Sequence, residues 1–199
     1  MNAFELDAKQ LDALREVANI GAGHAATALS QLTNRRILVE VPTVRVGGLP
    51  EESSDAGGDY ATVRMQILGD VTGETLQVFP NDTARRIAGI LTGADGGVAE
   101  TFGDMERSAL VEAGNIVAGA YLNALSDFMG MLLLMSVPTM KLGTGAITEA
   151  SPAAGGGARA LVLETRFRME GDTDALDGQF VLVPDPPSVR AILEAIHVT

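Results

Sequence analysis

Two pairs of polar side chains occur at the same spacing in distant parts of the sequence, Glu16 with Asn19 and Glu112 with Asn115. Residues three apart on a helix share a face, so each pair would present a carboxylate beside a neutral amide. An amide accepts and donates hydrogen bonds, so it can orient a water molecule near an anion without adding negative charge. Asparagine is a poor helix former, and its recurrence at mid-helix therefore suggests a role. The pattern alone leaves open a functional site or a solvated or interhelical polar face.

The two pairs belong to an internal repeat. Residues 12–42 and 108–138 match at 13 of 31 positions, at a constant offset of 96 and without a gap. Background composition would give roughly two or three matches. The alignment places the first Glu–Asn pair opposite the second and extends the shared helix face on both sides. That face comprises Asp12, Glu16, Asn19 and Gly23 in the first copy and Ser108, Glu112, Asn115 and Gly119 in the second.

A second block of similarity follows each copy. Residues 73–93 resemble 177–196, each with an alternating strand, a proline and a short amphipathic helix, and the alignment places Pro80 opposite Pro184. The stretches 47–59 and 151–157 are rich in Gly, Ser and Pro and are typical of loops. We therefore predict a single domain of two related halves, over residues 1–199 with halves of about 7–93 and 104–196.

Each half begins with a long helix. Asp7 with Gln10 three residues later suits a capping-box start of the first helix. Asn34 aligns with Gly130, and these residue types most readily adopt the left-handed conformation that ends a helix, so both helices should stop one residue earlier. The predicted fold class is α+β, with pseudo-two-fold symmetry. Two long helices would pack on a β-sheet shared by both halves, with their Glu–Asn faces outward.

The glycines of the first helix resemble a nucleotide-binding signature. Residues 21–26 fit G-x-G-x-x-A, but that fingerprint requires a strand immediately before the first glycine and a helix opening after it. Here the helical pattern begins about ten residues earlier, so nucleotide binding fails on structural context. A mid-helix glycine is about 1 kcal/mol less favourable than alanine. Close approach by another helix or by a partner would explain Gly21 and Gly23, and both explanations remain open here.

Composition excludes several classes of function. The formal net charge of −12 makes nucleic acid and anionic membranes poor ligands, since both require clustered cations. The chain has no cysteine, hence no disulfide framework and no thiolate metal site. The acidic start lacks the features of a signal peptide, and the longest apolar run, 128–137, is about half of a membrane-spanning helix. We expect a cytoplasmic protein.

Other candidate sites have simpler explanations. His24 and His197 have no second ligand at metal spacing, so we interpret them as structural or surface histidines. Residues 170–178 resemble a calcium loop, but Leu176 occupies a ligand position and the closing glutamate is missing, which indicates an acidic hairpin loop. Core filling best explains the methionines at 129, 131, 135 and 140. No metal or cofactor of the chain's own is expected.

The pattern (Asp/Ser)-x-x-x-Glu-x-x-Asn with a later proline is present in both halves and resembles the CheC/CheX/FliY family of bacterial chemotaxis phosphatases. The similarity covers essentially the whole chain, and the doubled motif is most similar to that of CheC-type members. The matching positions are Asp12, Glu16, Asn19 and Pro42 in the first motif and Ser108, Glu112, Asn115 and Pro138 in the second.

The resemblance implies hydrolysis of the aspartyl phosphate of CheY, a response regulator. Asn19 and Asn115 would then orient the attacking water, as glutamine does in GTPases, and Glu16 and Glu112 would engage a lysine of the regulator. The regulator would supply the Mg²⁺ ion. CheC-like proteins are also expected to bind CheD, a receptor-modifying deamidase. The alternative is a non-catalytic adaptor, either a FliM-like binder of phosphorylated CheY or a CheD-binding regulatory module.

Overall fold

The computed structural model describes residues 6–47, 59–93, 102–143, 160–170 and 178–197. Within these ranges the chain forms four helices and eight strands. Their bounds are α1 Ala8–Thr33, β1 Ile37–Val39, β2 Thr43–Gly47, β3 Tyr60–Gly69, β4 Gly73–Pro80, α2 Asn81–Thr92, α3 Asp104–Met129, β5 Leu133–Met135, β6 Thr139–Gly143, β7 Ala160–Met169, β8 Gly178–Pro184 and α4 Pro186–Ala195. Most of the predicted loops at 47–59 and 170–178, and all of 151–157, lie outside the described residues.

The strands form one antiparallel sheet in the order β1-β7-β8-β4-β3-β5, with β2 also paired to β7 and β6 to β3. The halves interleave, because β1 and β2 of the first half pair with β7 of the second, and β5 and β6 of the second half pair with β3 of the first. Exchanging each strand for its counterpart in the other half (β1 for β5, β7 for β3 and β8 for β4) gives the same strand order read from the opposite edge. The pseudo-two-fold axis therefore lies between β4 and β8. The predicted α+β class and shared sheet are confirmed.

The ends of the two long helices lie where the sequence predicts them. The side chain of Asp7 accepts a hydrogen bond from the Gln10 backbone N–H at 2.8 Å, and the Gln10 side chain caps the Asp7 backbone in return. Asn34 and Gly130 end the helices in the left-handed conformation, with φ of 50° and 65°. Each helix has 26 residues, and α3 begins 96 positions after α1. The first repeat block is therefore structural as well as sequential.

The second repeat block is displaced by one residue from the sequence alignment. The pair Ile67–Gly73 in β3 and β4 corresponds to Phe167–Gly178 in β7 and β8, which gives offsets of 100 and 105. Pro80 and Pro184 are therefore one position out of step, although each ends its strand. Because side chains alternate across a sheet, Pro80 is exposed and Pro184 is buried.

The core lies between α1, α3 and the sheet. Buried side chains of both helices pack on the strand residues that face them, including Val63, Met65, Leu163 and Phe180. The ring of Tyr121, from the middle of α3, is fully buried and stacks on Phe180 with centroids 4.3 Å apart. The methionines assigned to core filling are confirmed there, since Met129 is buried and the other three pack against this cluster.

The opposite face of the sheet carries a second apolar cluster and a row of ion pairs. The apolar cluster consists of Leu76, Val78, Val162, Val181 and Val183. Near it, Arg64 Nε lies 2.8 Å from a carboxylate oxygen of the buried Glu74. Burial raises the pKa of the Glu74 carboxyl, and the contact with Arg64 only partly opposes that shift.

Candidate functional site

The first predicted pair lies on the solvent face of α1. Glu16 and Asn19 are both exposed, and Gly23 continues the same face one turn later. Asp12, one turn earlier, is also exposed and forms an ion pair with Arg15 at 3.0 Å. This orientation follows from the helical period, because Leu14, Val17, Ala18 and Gly21 fill the buried side of the same turns.

The second predicted pair lies on the corresponding face of α3. Ser108 and Glu112 are exposed, and Asn115 is half-buried. Buried Leu110, Ala113, Gly114 and Val117 hold this face away from the core. Pro42 and Pro138, the prolines of the two motifs, occupy the connections β1–β2 and β5–β6 and are distant in sequence from the polar faces. The prediction that both Glu–Asn faces point outward is therefore confirmed.

The structure supports helix packing as the explanation for one of the two glycines considered in the sequence. A Cβ atom at Gly21 would lie 2.7 Å from Cε1 of Tyr121, so this glycine permits the close approach of α1 and α3. A Cβ atom at Gly23 would meet nothing within 4 Å. At Gly119 the nearest atom is the terminal methyl of Met135, at 3.4 Å. Helix packing thus accounts for Gly21, whereas the fold gives no reason for glycine at Gly23.

One polar residue beneath the second site was missed from the sequence. Gln77 in β4 is buried, and its Nε2 donates a hydrogen bond of 2.6 Å to the carbonyl oxygen of Gly114. That carbonyl belongs to the peptide unit that ends at the nitrogen of Asn115. The only sequence signal was a glutamine inside an otherwise apolar stretch of strand, which alternation alone assigns equally well to either face.

The described residues contain no cluster of three or more His, Cys, Asp or Glu side chains arranged to hold a metal ion. His24 and His197 are both exposed, as their interpretation as surface residues requires. Among the helices of the described ranges, none combines the length and apolar character needed to span a bilayer.

The arrangement supplies an exposed amide at Asn19 and a half-buried amide at Asn115, each one turn from an exposed carboxylate. The described residues place no cationic side chain within either Glu–Asn pair; the nearest on α1 is Arg15, which is bound to Asp12. A ligand with an anionic reacting group and a nearby cation of its own would fit such a site, because the amide adds no charge and the carboxylate can bind the cation.

Comparison with known proteins gives consistent results at three levels. The sequence model of the CheC-like family matches residues 10–46 and 105–142, which contain the two Glu–Asn pairs. The chain is 34% identical over 196 residues to the CheY-P phosphatase CheC of Bacillus subtilis (strain 168), covering 94% of each chain. It is 29% identical over 139 residues to the flagellar motor switch phosphatase FliY of the same organism, covering 69% of this chain and 37% of that protein.

Structural comparison extends this similarity to the whole fold. The crystal structure of Thermotoga maritima FliY superposes with a TM-score of 0.77 at 25% sequence identity, covering 98% of both chains. The doubled motif, the interleaved sheet and the 34% identity to a CheC protein over 94% of the chain lead to one conclusion. This chain is a member of the CheC-like family.

Proposed function

We propose that this protein is a phosphatase that hydrolyses the aspartyl phosphate of a CheY-like response regulator. The observation that carries the proposal is the presence of two outward-facing Glu–Asn pairs, one on each long helix, in a chain that aligns over 94% of its length with a CheY-P phosphatase. Each pair lies on a largely exposed helix surface, which suits a protein substrate better than a small molecule, because small ligands usually bind in concave pockets.

The chemistry requires little from the phosphatase. Water attacks phosphorus while the bond from phosphorus to the aspartyl oxygen breaks, which releases inorganic phosphate and a free carboxylate. The leaving carboxylate needs no proton, and the proton of the attacking water passes to phosphate or solvent. Asn19 and Asn115 would hold this water in line, accepting one hydrogen bond from it and adding no charge to repel the phosphoryl group.

The carboxylates would serve the encounter between the two proteins. In this proposal Glu16 and Glu112 bind a cation of the regulator beside its phosphorylated aspartate and so fix the register of each amide. The regulator supplies both that cation and Mg²⁺, so an acidic chain with a net charge of −12 can serve a phosphorylated substrate. Binding of CheD remains a prediction without an assigned surface.

Turnover separates this proposal from a non-catalytic adaptor. Phosphorylated CheY is mixed with Mg²⁺ and with this protein at about one-tenth of the CheY concentration, and released phosphate is followed. A phosphatase accelerates the complete conversion of all CheY phosphate. An adaptor that only binds phosphorylated CheY changes at most the one-tenth that it occupies, and that outcome would refute the proposal.

A further inference from the structure

The second site has a support in the core that the first site lacks. Gln77 is only 3% exposed, and its Nε2 lies 2.6 Å from the Gly114 carbonyl oxygen. In a helix this carbonyl already accepts from the N–H four residues later, and its second lone pair is free to accept from Gln77. The bond therefore adds a fixed point to the turn that carries Asn115 without replacing a helical hydrogen bond.

The contact depends on glycine at position 114. A Cβ atom there would lie 2.9 Å from Cγ1 of Val63 and 3.2 Å from Oε1 of Gln77, both closer than side chains normally approach. Glycine at mid-helix is about 1 kcal/mol less favourable than alanine. Gly114 thus brings the α3 backbone close enough to the sheet for the amide of Gln77 to reach it.

The layer beneath the first site has apolar residues at the corresponding positions. The structural offsets of 96, 100 and 105 relate Gly114 to Ala18, Val63 to Leu163 and Gln77 to Leu182, all of them buried. Packing in this layer therefore does not require a polar group. A buried amide is unfavourable unless it is hydrogen-bonded, whereas leucine needs no partner. Gln77 consequently fixes geometry at a place where leucine would fill the space.

We propose that Gln77 is a positioning residue for the second site, holding the 114–115 peptide unit so that the Asn115 amide stays aligned with the attacking water. This inference rests on the proposed phosphatase function. Misplacement of a catalytic group by about 1 Å can lower a rate by about 100-fold. Loss of the Gln77 bond should therefore lower turnover at the second site and leave turnover at the first site intact.

The internal duplication provides the control. Gln77→Leu, which installs the residue type found beneath the first site, is made in two backgrounds. Asn19→Ala leaves only the second site to report, and Asn115→Ala leaves only the first. In the Asn19→Ala background, where the second site acts, we expect kcat to fall about ten-fold or more and KM to stay within about two-fold. In the Asn115→Ala background, where the first site acts, neither constant should change. Gln66→Leu, the same change at an exposed position of β3, should have no effect in either background.

A readout that does not depend on activity accompanies the kinetics. Hydrogen exchange at the backbone N–H of Asn115 should accelerate in Gln77→Leu, while exchange at the backbone N–H of Asn19 should stay unchanged. Gln77→Met, which preserves side-chain length, replaces Gln77→Leu if the latter fails to fold. Equal losses at both sites, or no loss at the second site, would overturn the inference. Full activity of the Asn19→Ala, Asn115→Ala double variant would instead overturn the proposed function, and the exchange result would still decide the role of Gln77.

Discussion

Gly21 and Gly23 lie two residues apart on α1, and replacing each by alanine should change stability by different amounts. Alanine gains about 1 kcal/mol over glycine in a helix interior, and both substitutions share that gain. At Gly23 the new Cβ meets nothing within 4 Å, so the full gain should appear as added stability. At Gly21 it would lie 2.7 Å from the Tyr121 ring.

The Tyr121 ring has little freedom to move away. It is fully buried and stacked on Phe180, and a rigid ring must shift as a unit or displace the helix backbone. Overpacking of this kind is destabilising by about 1–3 kcal/mol. The shared propensity gain cancels between the variants, so Gly21→Ala should be about 1–3 kcal/mol less stable than Gly23→Ala. In a chain of this length that corresponds to a difference in Tm of roughly 2–12 °C.

Urea unfolding of the wild type and both variants, with the slope of the transition compared among them, measures this difference directly. Adding Tyr121→Leu to Gly21→Ala should recover part of the steric loss in a double-mutant cycle. The repeat supports this interpretation. Val117 corresponds to Gly21 and Ala25 corresponds to Tyr121, so the related helix contact pairs a medium-sized with a small side chain, where this one pairs glycine with tyrosine. If Gly21→Ala is as stable as Gly23→Ala, the close helix contact is refuted.

Three further predictions concern charge, metal and pH. Changing Glu16 and Glu112 together to Gln should raise KM by about ten-fold, whereas changing Asn19 and Asn115 together to Asp should lower kcat by several powers of ten, because an ionised carboxylate repels the phosphoryl group and cannot donate. The isolated protein should bind no stoichiometric transition metal, which elemental analysis measures. The stability of Glu74→Gln relative to the wild type should rise as the pH is raised above about 4.5.

The sign of the pH effect follows from the direction of the pKa shift. Burial raises the folded-state pKa of Glu74 above its unfolded value, so its contribution to stability is present at low pH and is lost as the pH rises through the folded pKa. Urea titrations of Glu74→Gln and the wild type at several pH values measure this effect. A stability of the variant relative to the wild type that falls as the pH rises would contradict the prediction. If the double Asn→Asp variant turns over normally and the double Glu→Gln variant loses kcat alone, the roles are reversed and the glutamates are the catalytic groups. About one tightly bound metal per chain would contradict the second prediction.

Local signals predicted the start of the first long helix and the ends of both long helices to the residue. Asn34 and Gly130 end α1 and α3 because left-handed backbone is accessible to asparagine and glycine, a property of the residues themselves. The 3.6-residue period placed Glu16 and Asn19 outward, since the buried positions of the neighbouring turns, from Leu14 to Gly21, are apolar or small. Both inferences required only neighbours within a few turns, and the structure confirms them.

Long-range features were not accessible in the same way. Interleaving of the halves depends on which strands pair, and short strands such as β1 and β5 carry no partner information. The displacement of Pro80 from Pro184 is a change of face that two alternating patterns cannot reveal without their register. Gln77 was missed for the same reason, because only tertiary packing shows that it faces Gly114.

The most direct test of the account is phosphate release from phosphorylated CheY with Mg²⁺, catalysed by the wild type, Asn19→Ala, Asn115→Ala and the double variant. Asn19 is exposed and Asn115 is half-buried, and neither belongs to the buried core, so the melting curves should change little and serve as the folding control. We expect each single variant to retain partial activity and the double variant to retain almost none. Full activity in a folded double variant would show that the paired asparagines do not carry the reaction.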